Sequence, residues 1–343
     1  MVSDEVSSVD FGTKTVTTKS KKSYPYTKLV LASGIPRHLP LPGFQDLSNI
    51  FLLRFVTDSR AIMAAVGEKN KKVVIVGSSF IGMEVGTALS RGNDVTIIDP
   101  LKAPLERVLG EEVVQDVATV DKATPSPSDP SKVGAVHLKD GTVLPADLVV
   151  LGVGVRPATD FLKDNPAISL ETDGSLKTDE SFALSRLGGD VFAIGDIATY
   201  PYHGPGSDHQ KGTYVRIEHW DVAQNAGRRV AHTIVRSLAP SQPPKPKSFI
   251  PIFLSALGVQ LRYCGNTAGG WDSLLLKGEP VNVKFAAYYC KGQTVVAVAT
   301  VSMDPIMAKS AVLMHRGDMP SKKEIEDGVD VLAVLAVGWS KNK

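Results

Sequence analysis

KKVVIVGSSFIGMEVGTALSRGNDVTIIDP, residues 71–100, is the segment that decides the fold of this 343-residue chain. It opens with a run of β-branched residues, Val73 to Val76, which is typical of a buried parallel strand. A Gly-Ser-Ser turn follows, and the pattern from Phe80 to Ser90 predicts a helix. A second apolar run, Val95 to Ile98, ends at Asp99. The segment therefore predicts a strand, a tight turn, a helix and a second strand, which together form a βαβ unit.

The spacing of the small and acidic residues in this unit indicates a dinucleotide site. Gly77 permits the sharp exit from the strand, and Gly82 lets the helix pack closely on the sheet. The first helical amides and the helix dipole are suited to a pyrophosphate. Asp99 lies 22 residues after Gly77, near the roughly 20 expected for an acid that binds the ribose 2′-hydroxyl. Because such an acid repels a 2′-phosphate, NAD(H) is favoured over NADP(H). The predicted contacts are Gly77, Ser78, Ser79, Phe80, Ile81, Gly82 and Asp99.

Ser79 is the departure from the glycine pattern. It stands where the second glycine of the fingerprint normally lets the backbone approach the phosphates. We expect its Cβ to weaken that contact. The alternative is a structural βαβ unit without a ligand.

Length and composition exclude several classes of protein. A chain of this length predicts two or three domains, and 38 Lys and Arg against 36 Asp and Glu argue against a nucleic-acid surface. No apolar stretch is long enough for a membrane span, and the N-terminus predicts no signal or transit peptide, so we expect a cytoplasmic location. Cys264 and Cys290 are 26 residues apart and predict two free buried thiols. We predict no metal site.

Other segments predict further strand-to-glycine turns and a separate C-terminal unit. Val191 to Asp196 predicts a short strand ending in Gly-Asp, and the helix Asp221 to Ser237 follows a Glu-His-Trp sequence. The remaining predicted elements are strands at 28–31, 147–155, 281–290 and 294–301, a hairpin at 137–144, helices at 53–66, 101–117, 304–314 and 322–336, a Pro/Ser loop at 124–131 and a linker at 239–247.

The order of five motifs resembles a known family. LVLASGIPR, VVIVGSSFIGMEVG, DLVVLGVGVRP, VFAIGDIA and RIEHWDVAQNAGRRVA are similar to those of the FAD-dependent pyridine nucleotide reductases. LRYCGN, KFAAYYCKGQTVVAVATVSMDP and LMHRGDMP resemble the apoptosis-inducing-factor-like branch, especially the form whose longer relatives carry an N-terminal Rieske domain. The resemblance implies an α/β fold with two Rossmann-like domains of the glutathione-reductase type, the FAD one incomplete, and a C-terminal α+β domain. It assigns residues 1–67 and 153–245 to FAD, 68–152 to NAD and 248–338 to the interface domain.

The resemblance also implies which residues contact each cofactor, although a purely structural role is the alternative for several of these residues. Glu84 and Gly154 match family positions near the nicotinamide, and a surface Glu is the alternative for the first. Arg54 matches an arginine that contacts the flavin, and a solvated helix arginine is its alternative. Asp196 is expected at the ribityl chain, or as a helix cap. The helix after Trp220 is expected to face the flavin ring and stabilise its reduced form. The full FAD set is Ala32, Ser33, Gly34, Arg54, Gly195, Asp196, Glu218, His219 and Trp220.

Family members begin with a glycine-rich turn of their own, which holds the FAD pyrophosphate, and this sequence begins after that point. We therefore expect FAD to bind weakly. The implied activity is transfer of a hydride from NADH to flavin and then of electrons to an external acceptor, because no adjacent cysteine pair is present. A Rieske or ferredoxin-type protein, a quinone or oxygen could take them. No catalytic residue is assigned, and the alternative function is a truncated NAD-binding interaction protein without flavin chemistry.

Overall fold

The computed structural model describes residues 1–36, 39–68, 70–100, 118–208, 210–238, 249–256 and 258–335. The predicted helix at 101–117 and the linker at 239–247 lie outside these ranges. The chain divides into two compact units, and the fold is α/β, as predicted. Unit 1 comprises residues 1–34, 156–254 and 260–343, and unit 2 comprises residues 35–155 and 255–259.

Unit 2 is built on a parallel sheet of four strands, ordered Ile50–Leu52, Leu148–Leu151, Lys72–Val76 and Asp94–Ile98. Both faces of the sheet are apolar and buried. Val74 and Val149 belong to the core on one face, whereas Ile75 and Val150 belong to the core on the other. The β-branched runs of the sequence are therefore explained by burial on two sides. The helices of this unit are Val56–Val66 and Phe80–Leu89, which we call the fingerprint helix.

A second sheet of unit 2 is antiparallel, with Val133–Leu138 between Val120–Pro125 and Val143–Pro145. The hairpin predicted around Asp140-Gly141 is present. The prediction of a loop from Thr124 was wrong at its start, because Thr124 and Pro125 pair with Ala135 and Val133. The side chains of this strand do not alternate, because Val120 and Ala123 are buried while Asp121 and Lys122 between them are both exposed, so no period-two pattern indicated a strand.

Residues 35–67 belong to unit 2, although the family pattern assigns them to the flavin domain. The reason is the strand Ile50–Leu52, which pairs along Leu148–Leu151 of the parallel sheet. The chain passes between the units within the strands Gly34–Pro36 and Val155–Pro157, and again at the two ends of residues 255–259. How the cofactors divide between the units stays a prediction.

The N-terminal and middle segments of unit 1 share one core. Their sheets are Val6–Asp10 with Thr15–Thr18 and Ser23–Pro25, Leu29–Leu31 with Val191–Ala193, and Leu176–Lys177 with Ala198–Tyr202 and Thr213–Val215. The helix Trp220–Leu238 contributes Val222, Ala226 and Val230 to this core, at the four-residue spacing of one helix face. Short 3₁₀ turns lie at Asp160–Leu162, Ser185–Leu187 and Gly195–Ile197.

The C-terminal part of unit 1 has its own sheet and core. The strand order is Ile252–Ala256, Gln260–Gly265, Thr294–Val301, Lys284–Lys291 and Ser273–Glu279, and the helices are Ile306–Arg316 and Lys322–Glu326. The predicted helix at 322–336 was too long, because the chain turns at Gly328 with φ of 102°. The strand predicted from 281 begins at Lys284, after a 3₁₀ turn at Pro280–Asn282. Within the described ranges, no helix combines the length and apolar character that a membrane crossing requires.

Candidate functional site

The carboxyl ends of three neighbouring strands of unit 2 carry the predicted dinucleotide residues. Lys72–Val76 lies between its two neighbours and leads into Gly77, while Asp94–Ile98 leads into Asp99 on one side. Leu148–Leu151 leads into the Gly152–Gly154 segment on the other side. Strand order reverses direction at the central strand, and such a switch point is where open α/β sheets bind ligands.

Two glycines of the fingerprint are required by close backbone packing. Gly77 has φ of 102°, and a Cβ there would lie 2.7 Å from the carbonyl carbon of Gly152. A Cβ on Gly82 would collide with the carbonyl oxygen of Gly77 and lie 3.1 Å from its carbon. The fingerprint helix can therefore reach the end of the strand only with glycine at these positions. Gly152, which the sequence did not single out, completes the contact.

Ser79 begins the fingerprint helix as its N-cap. Its hydroxyl accepts a hydrogen bond from the Gly82 N–H at 3.4 Å and donates one to the Gly152 carbonyl at 2.7 Å. From the sequence, we expected Ser79 only to weaken the phosphate contact, because its Cβ replaces a glycine hydrogen. The structure instead gives the hydroxyl a role, because it joins the helix start to the neighbouring strand end.

Asp99 is tied to the turn that precedes the helix. Its Oδ2 accepts the Ser78 backbone N–H at 2.5 Å and the Ser78 hydroxyl at 2.8 Å. Ser78 is buried, with 4% of its surface exposed. The predicted ribose-binding acid and the second residue of the turn are thus held as one cluster, at the edge of the sheet where a ribose would lie.

The two residues predicted near the nicotinamide lie in the same unit. Gly154 follows the strand Leu148–Leu151 and has φ of 88°. Glu84 lies one turn into the fingerprint helix and accepts a hydrogen bond at 2.6 Å from the hydroxyl of Ser255, which is 171 residues away in sequence. No sequence pattern identified Ser255.

In unit 1, the structure brings together two segments predicted to contact FAD. A Cβ on Gly34 would lie 2.7 Å from the Cβ of Asp196 and 2.8 Å from its Oδ2, so the Ala32-Ser33-Gly34 turn lies directly against this carboxylate. Ser33 donates a hydrogen bond to the Ala158 carbonyl at 2.9 Å. Gly195, with φ of 70°, approaches the first turn of the helix Trp220–Leu238 at Ala223. Glycine at position 34 is therefore required for the close packing of this turn on Asp196.

The start of the helix Trp220–Leu238 is organised by residues around Glu218. Arg216, which the sequence analysis missed, pairs with Glu218 at 2.6 Å and Asp173 at 2.7 Å, and donates to the Asp196 carbonyl at 3.1 Å. Burial alone would lower the pKa of Arg216, but the two carboxylates outweigh it and raise the pKa above its ordinary value. In the sequence, only the position of Arg216 two residues before Glu218 indicated that it could be part of this site.

His219 and Trp220 have different surroundings. The His219 Nδ1 accepts the Asp221 N–H at 3.2 Å, and its ring centroid lies 4.3 Å from that of Phe253. One helix-start amide that we expected to face the flavin is thus occupied by His219. Trp220 is 71% exposed.

Arg54 belongs to unit 2, whereas the other residues of the predicted FAD set belong to unit 1. The backbone N–H groups of Arg54 and Phe55 donate to the Asp58 carboxylate at 2.9 and 2.8 Å, just before the helix Val56–Val66. Its contact with flavin stays a prediction.

Known proteins are similar in sequence to this chain over residues of both units. Residues 1–227 match the family described as pyridine nucleotide-disulphide oxidoreductase. Apoptosis-inducing factor 3 of Homo sapiens is 31% identical over 336 residues, which cover 94% of this chain and 53% of that protein. The seedling isozyme of monodehydroascorbate reductase of Cucumis sativus is 36% identical, over 59% of this chain and 49% of that protein. The chain spans about half the length of these curated relatives.

A solved structure is similar across most of the chain. The covalent putidaredoxin reductase–putidaredoxin complex matches with a TM-score of 0.78 and 25% identity, over 91% of this chain and 75% of that one.

Proposed function

This chain belongs to the pyridine nucleotide-disulphide oxidoreductase family, in its apoptosis-inducing-factor-like branch, and on that premise we propose that it is an NAD(H)-dependent flavoprotein oxidoreductase. It would take a hydride from NADH and deliver electrons to an external acceptor. The observation that carries the proposal is the cluster at the sheet switch point of unit 2, with Gly77 and Gly82 in backbone contact and Asp99 fixed by Ser78.

NADH would lie across the carboxyl ends of the parallel strands. The amides at the start of the fingerprint helix would face the pyrophosphate. Asp99 would accept the adenosine ribose hydroxyls, which places the nicotinamide half toward Gly154 at the opposite neighbouring strand. The carboxylate of Asp99 repels a 2′-phosphate, so NADPH should bind more weakly.

The residues of unit 1 fit the ribityl and ring side of a flavin. Gly34 lets its turn pack directly on Asp196, whose carboxylate would accept hydroxyls of the ribityl chain. Glu218 and Arg216 fix the chain that enters the helix Trp220–Leu238, whose positive end would stabilise negative charge on the ring. When bound, the flavin supplies the hydride-accepting chemistry, and these residues place it and shape its electrostatics.

The cysteines do not offer an internal acceptor. Cys264 and Cys290 are both free and buried, and burial raises the pKa of Cys264 to about 12 and of Cys290 to about 11. Both thiols are therefore protonated at neutral pH. The acceptor must come from outside, and we propose a Rieske or ferredoxin-type protein, in line with a relative solved in complex with putidaredoxin. A cytoplasmic location, with mitochondrial association as the alternative, stays a prediction.

A second candidate function is supported by one specific observation. Among the described residues of unit 1, neither of the two strands that lead to the predicted FAD turns continues directly into an α-helix: strand Gly34–Pro36 follows Leu29–Leu31, and the 3₁₀ turn Gly195–Ile197 follows Val191–Ala193. A flavin pyrophosphate normally needs such a turn. This chain by itself could thus act as an NAD(H)-binding interaction protein without flavin chemistry.

One set of titrations tests the proposal against this alternative. NADH and NADPH are titrated into the purified 343-residue chain, and NADH oxidation by ferricyanide is measured with and without excess FAD. We expect tighter binding of NADH, a mostly colourless protein and oxidation that rises on FAD addition. NADH binding without any FAD-dependent oxidation would favour the interaction protein, and no nucleotide binding would refute both.

A further inference from the structure

A short segment from the C-terminal third of the chain belongs to unit 2. Residues 255–259 group with the dinucleotide unit, whereas the residues on both sides of them group with unit 1. Gly258 of this segment lies beside the fingerprint helix, since a Cβ on it would be 3.6 Å from Thr87. Gly82 and Gly86 of that helix face the parallel sheet instead, where they pack on Gly77, Ile75 and Ile97.

Ser255 makes the polar contact of this segment. It is 3% exposed, and its hydroxyl donates to Glu84 Oε1 at 2.6 Å. A buried hydroxyl without a partner is costly, whereas a hydrogen bond to a charged acceptor is among the stronger ones. Glu84 is partly buried and has a long side chain with several rotamers. A bond to a strand residue whose own position is fixed by burial therefore selects one conformation of the carboxylate.

We propose that Ser255 is a positioning residue for the nicotinamide half of the dinucleotide site. It holds the Glu84 carboxylate in the conformation that accepts the N–H of the nicotinamide carboxamide. The inference rests on the proposed NADH site, in which Asp99 takes the adenosine half and the fingerprint helix takes the pyrophosphate. Glu84 then lies one helical turn beyond the pyrophosphate, on the part of the helix that the adenosine half does not occupy.

The experiment compares two ligands that share an adenosine half. NADH and ADP-ribose, which lacks nicotinamide, are titrated into the wild-type chain and into Ser255→Ala. The matched control is Ser310→Ala, which also removes a buried hydroxyl, but one in a helix of unit 1 whose oxygen has no hydrogen-bond partner among the described residues. Removing a hydrogen bond to a charged group corresponds to a loss of roughly tenfold or more in affinity.

We expect Ser255→Ala to weaken NADH binding about tenfold and to leave ADP-ribose within about twofold. Ser310→Ala should change neither. In a Glu84→Ala background, Ser255→Ala should have no further effect on NADH, because it acts through that carboxylate. Equal losses for both ligands would overturn the proposal and leave Ser255 a packing residue, and so would unchanged NADH affinity. If the wild type binds neither ligand, the proposed NADH site itself is wrong and the inference falls with it.

Discussion

The contact between Gly82 and Gly77 allows a quantitative test, because a second glycine on the same helix face serves as a control. In Gly82→Ala, the new methyl group would meet the backbone carbonyl of Gly77, with its carbon at 3.1 Å. In Gly86→Ala, it would meet the ends of two flexible side chains, Ile97 Cδ1 at 2.7 Å and Ile75 Cδ1 at 3.3 Å. Both substitutions gain about 1 kcal/mol of helix propensity.

The two variants should nevertheless differ in stability. A side-chain methyl can rotate away, whereas a backbone carbonyl can yield only if the helix moves off the strand. Overpacking of a well-packed site costs roughly 1–3 kcal/mol, and we expect the upper part of that range at Gly82 and the lower part at Gly86. After the propensity gain, Gly82→Ala should be destabilised by about 1–2 kcal/mol, and Gly86→Ala should be close to neutral.

The assay is the urea midpoint from circular dichroism, together with the dissociation constant for NADH. Gly82→Ala should lower the midpoint and also weaken NADH binding, because the displaced helix takes its first amides away from the pyrophosphate. Gly86→Ala should retain both properties. Equal midpoints for the two variants would show that the strand and the helix are not held in contact at Gly82, and the packing argument would be wrong.

Three further substitutions test the turn and one surface ion-pair cluster. Asp99→Ala should weaken NADH binding and reduce the difference in affinity between NADH and NADPH. Tighter binding of NADPH than of NADH by the wild type would refute the charge argument. The sequence alone predicted that Ser79→Gly strengthens NADH binding or leaves it unchanged. The structure predicts that it lowers the urea midpoint by the equivalent of about 1 kcal/mol, mainly because the bond to Gly152 is lost, since glycine is itself tolerated as an N-cap and loss of the cap adds only a few tenths; an unchanged midpoint would contradict this. Hydrogen bonds from Lys14 and Lys28 lower the pKa of Asp190 to about 2, so the stabilisation of the fold by ionised Asp190 is present above the ordinary pKa and is lost as the pH falls from about 4 to about 2. The difference in urea midpoint between wild type and Asp190→Asn should therefore shrink over that pH range. A constant difference would show that the ion pairs of Asp190 do not cause it.

We expect the 343-residue chain to bind FAD weakly. The predicted FAD contacts are with the ribityl chain and the ring, and a pyrophosphate without its usual amides would lose charge-assisted hydrogen bonds worth roughly 1.5–3 kcal/mol each. Loss of two or three such bonds corresponds to about two to six decades in affinity. We therefore expect FAD to be lost during gel filtration. Purification of a yellow protein with stoichiometric FAD would show that another segment supplies the phosphate contacts.

The sequence determined the βαβ unit and the order of the segments. The pattern of apolar runs and glycine turns can be recognised from neighbouring residues alone. A strand buried on both faces must be apolar throughout, and a turn with positive φ needs glycine, as at Gly77. For the same reason, the spacing from Gly77 to Asp99 followed from one strand, one helix and one strand. Elements whose burial depends on distant partners were predicted less well. The strand that includes Thr124 was missed, and the last helix was predicted too long.

The tertiary structure alone decided which distant residues meet at the site. Ser255 reaches Glu84 across 171 residues, and Gly152 approaches Gly77 from a strand that the sequence places 75 residues later. No local pattern encodes such pairs, because a hydroxyl at Ser255 is compatible with many surroundings until the sheet brings the segments together. Ser79 shows the same limit: a glycine position occupied by serine suggests a steric cost, but only the neighbouring strand end reveals that its hydroxyl has a carbonyl to bind.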